Sequence, residues 1–86
     1  MKVDILFFAS LRELFEEDKI NINVDDDMSS PEELLQYLAK NHKGPWFELL
    51  QKRKNIRVAI NHNIEDWDSS LSDGDELAFL PPITGG

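Results

Sequence analysis

Near the start of the chain, apolar and polar positions alternate. Val3, Ile5 and Phe7 fall on one side of an extended segment, and Asp4, Leu6 and Phe8 on the other, which predicts a strand over 2–8. Leu11, Leu14 and Phe15 then recur at helical spacing, so a turn of helix is expected within 9–15. Alternation returns at 19–24, with Ile20, Ile22 and Val24 on one side. The short connection favours an antiparallel pairing of this strand with the first.

Three aspartates at 25–27 break the pattern, and a helix start follows. Ser30 can cap it, Pro31 suits its first position, and Glu33 completes a capping box. Glu32 and Glu33 also complement the positive end of the helix dipole. Leu34, Leu35, Leu38 and Ala39 make one apolar stripe that should end before Gly44-Pro45. A second short helix is expected at 46–50, running into Lys52, Arg53 and Lys54. Strands follow at 56–60 and 76–80, with a short returning segment from Ile64 between them. The turns are Asn61-His62-Asn63 and 71–75. Pro81 and Pro82 end the last strand, because proline cannot donate to a ladder. This order predicts an α+β fold: one main helix and a second short helix against a mixed sheet of four to five strands.

The sheet has an unusual second face. If Val3, Ile5, Phe7, Val58, Ile60, Leu77 and Phe79 lie under the helix, then Leu6, Phe8, Ala59, Ala78 and Leu80 lie opposite, with Ile64 nearby. A half-exposed sheet should be polar there. Apolar residues on both faces point to a protein-binding surface. The alternative is that Trp46, Phe47 and the second helix cover it.

Composition narrows the chemistry. A chain of 86 residues holds one domain. No apolar run approaches the length of a membrane span. The start lacks the basic and uninterrupted apolar regions of a signal peptide, so a cytoplasmic location is expected. The absence of cysteine rules out a disulfide scaffold, a zinc–thiolate site and a catalytic thiol. A net charge of −8 disfavours nucleic acid as a partner. It suits a basic patch on a partner protein, or serves solubility alone. His42 and His62 are isolated, and His62, Glu65, Asp66 and Asp68 match no strong metal motif, so no metal or bound cofactor is expected. Trp67 reads as a packing residue on a loop over the core edge.

The last residues carry the candidate chemistry. Two terminal glycines would occur by chance in roughly one chain in 200, so the pair alone is a modest signal. Its setting adds to it. Pro81 and Pro82 hold the chain extended, and residues 83–86 reach about 13 Å beyond them. We therefore expect a domain over 1–82 and a flexible tail over 83–86. Without Cβ atoms, Gly85 and Gly86 can thread a narrow channel and leave the terminal carboxylate unhindered. Adenylation would make that carboxylate an electrophile for sulfur or an amine. The alternative is a frayed terminus that happens to end in glycine.

The segment Leu6-Phe7-Phe8-Ala9-Ser10-Leu11-Arg12-Glu13-Leu14 resembles the start of the molybdopterin synthase small subunit, a ubiquitin-like sulfur-carrier family. Val58-Ala59-Ile60-Asn61 resembles its third-strand motif. Leu71-Ser72-Asp73-Gly74-Asp75-Glu76-Leu77-Ala78-Phe79, followed by Pro81-Pro82-Ile83-Thr84-Gly85-Gly86, resembles its C-terminal signature. Between 16 and 55 only the order of elements agrees.

The resemblance implies a ubiquitin-like β-grasp fold and a carrier without catalytic side chains or bound cofactor. It implies that a ubiquitin-activating-like partner uses ATP to adenylate Gly86, and that a sulfur donor converts Gly86 to a thiocarboxylate. The tail, with Thr84 and Gly85, would then enter the large catalytic subunit of molybdopterin synthase. There the sulfur passes to cyclic pyranopterin monophosphate. The family's interface positions fall on Phe8, Ile64 and Leu80, beside Pro81 and Pro82. Leu80 departs from the aromatic residue common there. Three alternatives stay open: a carrier for thiazole or tRNA thiolation, a modifier conjugated to lysines through Gly86, and a plain interaction domain.

Overall fold

The computed structural model describes residues 1–82. Thr84, Gly85 and Gly86, and the tail expected over 83–86, lie outside the described residues. Five strands and three α-helices form among the described residues, in the order β1 (Lys2–Phe7), α1 (Ser10–Phe15), β2 (Lys19–Asn23), α2 (Pro31–Asn41), α3 (Trp46–Gln51), β3 (Arg57–Ile60), β4 (Asn63–Glu65) and β5 (Glu76–Leu80). A 3₁₀ turn at Arg53–Asn55 leads into β3. The expected short helical turn at 9–15 is thus a separate helix, one more than the two-helix outline.

The strands join into one mixed sheet with the order β2-β1-β5-β3-β4. β1 and β2 pair antiparallel, as their short connection required. β5 lies in the middle, parallel to β1 and antiparallel to β3. One side of this sheet carries the core. Val3, Ile5, Phe7, Val58, Leu77 and Phe79 are at most 1% exposed, and Leu34, Leu35 and Leu38 of α2 are sealed against the same core. Burying each of those leucines contributes about 1.5–3 kcal/mol.

α2 starts as its sequence requires, with one change of partner. The Ser30 hydroxyl accepts from the Glu33 N–H at 3.2 Å, but the Glu33 carboxylate accepts from Ser29, through its backbone N–H at 3.0 Å and its hydroxyl. The capping box is therefore spread over two serines. These bonds hold the Glu33 carboxyl below its ordinary range, the Ser29 hydroxyl being the larger cause. Trp46 and Phe15 join the core from α3 and α1. Phe7 stacks on Phe15 with ring centres 4.1 Å apart, and Trp46 meets Phe15 edge-on at 4.7 Å. Trp46 is thus spent on the core side and cannot cover the outer face. Phe47 is 60% exposed.

The turn before β5 ties the sheet together. Asp73 accepts from the Lys2 N–H at 2.7 Å, and Gly74, at φ +87°, donates to the Lys2 carbonyl at 2.7 Å. Asp75 accepts from the Ser72 N–H at 2.7 Å and from the Asn61 side chain at 2.9 Å. Asn61 and His62 both have positive φ, giving the two-residue hairpin that joins β3 to β4. The Ser-Asp-Gly-Asp run is therefore structural: it locks the entry of β5 to β1 and to the β3–β4 hairpin.

Candidate docking groove beside the last strand

Strand register arranges the outer face in rows. Leu6 lies beside Ala78, Ala78 beside Ala59, and Ala59 beside Ile64. In the next row Leu80 lies beside Arg57. The pattern placed Leu6, Phe8, Ala59, Ala78 and Leu80 outside the core, and none of them joins the core cluster. Ala59 and Ala78 are nevertheless buried, because small side chains on central strands are covered by their larger neighbours. The exposed apolar surface is therefore narrower than alternation alone implies. It concentrates at Phe8, 44% exposed, and Ile64, 56% exposed, with Leu80 and Pro81 half-buried beside them.

These residues line one open groove at the end of the sheet where β1 and β5 finish and β3 begins. Phe8, Ile64, Leu80, Pro81 and Pro82 all contribute to it. All five expected interface positions therefore meet at one place, directly before the segment that leads to Gly86. On its other side Pro81–Pro82 borders a smaller hollow lined by Leu11 and Leu14 of α1 and by Glu48 and Lys52.

The groove also contains residues that alternation did not single out. The Trp67 indole donates to the Ile56 carbonyl at 3.1 Å and its ring stacks on Phe79 at 5.8 Å, making the expected packing residue part of the wall. Ala9 follows Phe8 with φ 51° and ψ −124°, a conformation that favours glycine. It turns the chain from β1 into α1. Arg53, Lys54 and Arg57 form a cationic margin of the groove. Arg53 Nε lies 2.5 Å from Glu32 Oε1, an oxygen sealed from solvent. The signal for this margin was present in the sequence: four of the nine cations fall within positions 52–57.

Among the described residues the lining contains no serine, threonine, cysteine or histidine. It can bury apolar groups and pair charges, which is recognition chemistry. Among the described residues no cluster of histidine, aspartate and glutamate is placed to hold a metal, and His62 instead lies 3.2 Å from Glu76 at the surface. No helix among the described residues is long and apolar enough to cross a membrane.

Residues 5–86 match the ThiS family. The chain belongs to the ThiS family. The molybdopterin synthase sulfur carrier subunit of Haemophilus influenzae is 38% identical over 84 residues, covering 98% of this chain and 99% of that protein. This bears out the resemblance read from the first strand and the C-terminal signature. Among solved structures, SAMP1 from Haloferax volcanii superposes with a TM-score of 0.76 at 26% identity, covering all of both chains. A chain of the protein–protein complex of subunits 1 and 2 of the molybdopterin-converting factor from Helicobacter pylori superposes with a TM-score of 0.63 at 24% identity, again over both full chains. The sheet order and the helix across it are those of the ubiquitin-like β-grasp that this ThiS family chain was expected to adopt.

Proposed function

We propose that this chain is the sulfur carrier of a molybdopterin synthase. The observation that carries the reading is the end-to-end likeness to a sulfur carrier subunit, combined with a groove that gathers Phe8, Ile64, Leu80, Pro81 and Pro82 at the root of the tail.

The chemistry resides at Gly86. Its carboxylate attacks the α-phosphate of ATP on an activating partner, forming an acyl adenylate and releasing pyrophosphate. The terminal sulfur of a donor's persulfide attacks the acyl carbon and AMP leaves, giving an acyl disulfide. A thiol reductant then attacks the donor's sulfur, forms a new disulfide with it and releases the thiocarboxylate. The groove then docks on the large synthase subunit while Thr84, Gly85 and Gly86 enter its active site. The sulfur passes to cyclic pyranopterin monophosphate. With no cysteine of its own, the carrier holds its sulfur on the terminal carbonyl. Intact-mass measurement of the protein purified from its host tests this. A species heavier by the difference between sulfur and oxygen, lost when Gly86 is deleted, is the expected result. Unimpaired molybdopterin formation without Gly86 overturns it.

A second reading is favoured by the likeness to SAMP1, a small archaeal modifier protein. The same acyl adenylate attacked by a lysine amine gives an isopeptide bond. Higher-mass conjugates that vanish on deleting Gly86 would establish that activity.

A further inference from the structure

The docking groove has a charged rim that the apolar contact alone does not require. The chain carries 17 acidic and nine basic residues, yet Lys52, Arg53, Lys54 and Arg57 crowd into six positions. Two of these four are engaged internally: Lys52 with Glu48 at 2.9 Å, and Arg53 with Glu32. Lys54 and Arg57 are exposed and make no ion pair among the described residues. Both line the groove, and Arg57 sits directly beside Leu80 in the ladder, one residue before Pro81. Glu65 and Asp66 occupy the margin formed by the end of β4. The rim thus carries both signs, with Arg57 next to Leu80 at the tail root.

We infer that Lys54 and Arg57 form a second recognition element for the large synthase subunit. They pair with an acidic patch on that subunit that borders the pocket taking Phe8 and Leu80. This inference rests on the docking reading given above. Distance argues against a nucleotide as the target of these cations. From Leu80 to Gly86 an extended chain covers roughly 20 Å. A phosphate at Gly86 therefore lies beyond the reach of Arg57 when the tail threads a channel. Two cations in a chain of net charge −8 are also too few to hold a nucleic acid backbone. A partner protein's carboxylates beside an apolar pocket fit both halves of the groove. Such rim charges act mainly on the association rate and on orientation. In an acidic chain they mark one end as the one that an acidic partner surface can approach.

The test is the association rate between the full chain and the large molybdopterin synthase subunit of its own host, measured across ionic strength. The doubly substituted chain Lys54→Glu/Arg57→Glu is compared with Lys40→Glu/Lys43→Glu. The second pair changes net charge equally but lies at the end of α2, outside the groove. The expected result is association slower by about tenfold at low salt for the groove variant alone, with the difference closing as salt rises. Equal slowing by both variants would assign the effect to net charge and overturn the inference. So would unchanged rates in both. In either case the docking reading survives, provided the unsubstituted chain binds and Phe8→Glu abolishes binding. If the unsubstituted chain does not bind the large subunit, the docking reading itself fails. Circular dichroism of each variant separates loss of contact from loss of fold.

Discussion

The Trp67 indole N–H donates to the backbone carbonyl of Ile56 at 3.1 Å, closing the end of the sheet where β3 begins. The same residue's carbonyl accepts from the Glu32 N–H at 2.9 Å, so Trp67 also anchors the first turn of α2. Replacing Trp67 with Phe keeps the stacking on Phe79 but leaves the Ile56 carbonyl without its indole partner. The expected cost is about 1–2 kcal/mol. Trp67→Ala also removes the ring and should cost about 3 kcal/mol. Urea unfolding monitored by far-UV circular dichroism would measure both. A Phe variant as stable as the parent would show that the hydrogen bond contributes nothing.

Ala9 joins Phe8 to α1 with φ 51° and ψ −124°, where a Cβ is poorly accommodated. Its carbonyl still accepts from Arg12 at 3.1 Å and Glu13 at 3.3 Å, so the conformation is held by the start of the helix. Ala9→Gly relieves the strain while adding freedom to the unfolded chain. The net expectation is a gain of about 1 kcal/mol. That corresponds to a thermal midpoint higher by roughly 4–8 °C for a domain of this size. Ala9→Val should move the midpoint in the opposite direction.

Much of this structure was legible in the sequence because burial on one side writes a period of two into a strand. Val3, Ile5, Phe7, Leu77 and Phe79 declared the core face, and Phe8, Ile64 and Leu80 were placed outside it. Alternation names a face, however, and not a neighbour. That β5 runs parallel to β1 in the centre of the sheet depends on contacts such as Ile5 beside Leu77, far apart in the chain. Nor does a period of two reveal that Ala59 and Ala78 are covered by larger side chains. The cations at 52–57 were visible as a cluster, but their place beside the groove escaped for another reason. Lys54 sits in a 3₁₀ turn and Arg57 opens a strand, so only their positions in space bring them to Leu80.

The start of α2 makes stability depend on pH. The Glu33 carboxyl, bonded to the Ser29 hydroxyl and N–H, titrates below its ordinary value of 4.5 in the folded chain. A group depressed by folding stabilises wherever it is ionised in the unfolded state. The contribution is therefore complete above the ordinary glutamate range. It is lost as pH falls through the depressed value, once the folded carboxylate is protonated. Glu33→Gln should flatten this part of the stability profile in acid while changing the slope little near neutrality. An unaltered acid limb in the Gln variant would remove Glu33 as its source.

Docking and chemistry should separate cleanly by position. Phe8 and Ile64 are exposed in the free chain, so replacing either with Ala should leave stability within about 0.5 kcal/mol. If they fill pockets on the large subunit, each loss should weaken that complex by about 30-fold, equivalent to about 2 kcal/mol. Phe8→Glu should be more severe, because it places an unpaired charge at an apolar contact. Deleting Gly86 should do the reverse, leaving the complex within about threefold of its affinity if the groove carries most of the binding energy. If Gly86 carries the sulfur, transfer should then be absent, because the new terminal carboxylate on Gly85 falls one residue, about 3.5 Å, short. Titration calorimetry with the large subunit measures the first property and single-turnover conversion of the pterin the second. A Phe8→Glu chain that still transfers sulfur at the parent rate would refute the groove as the docking site. Strong loss of affinity on deleting Gly86 would instead shift the principal contact to the tail.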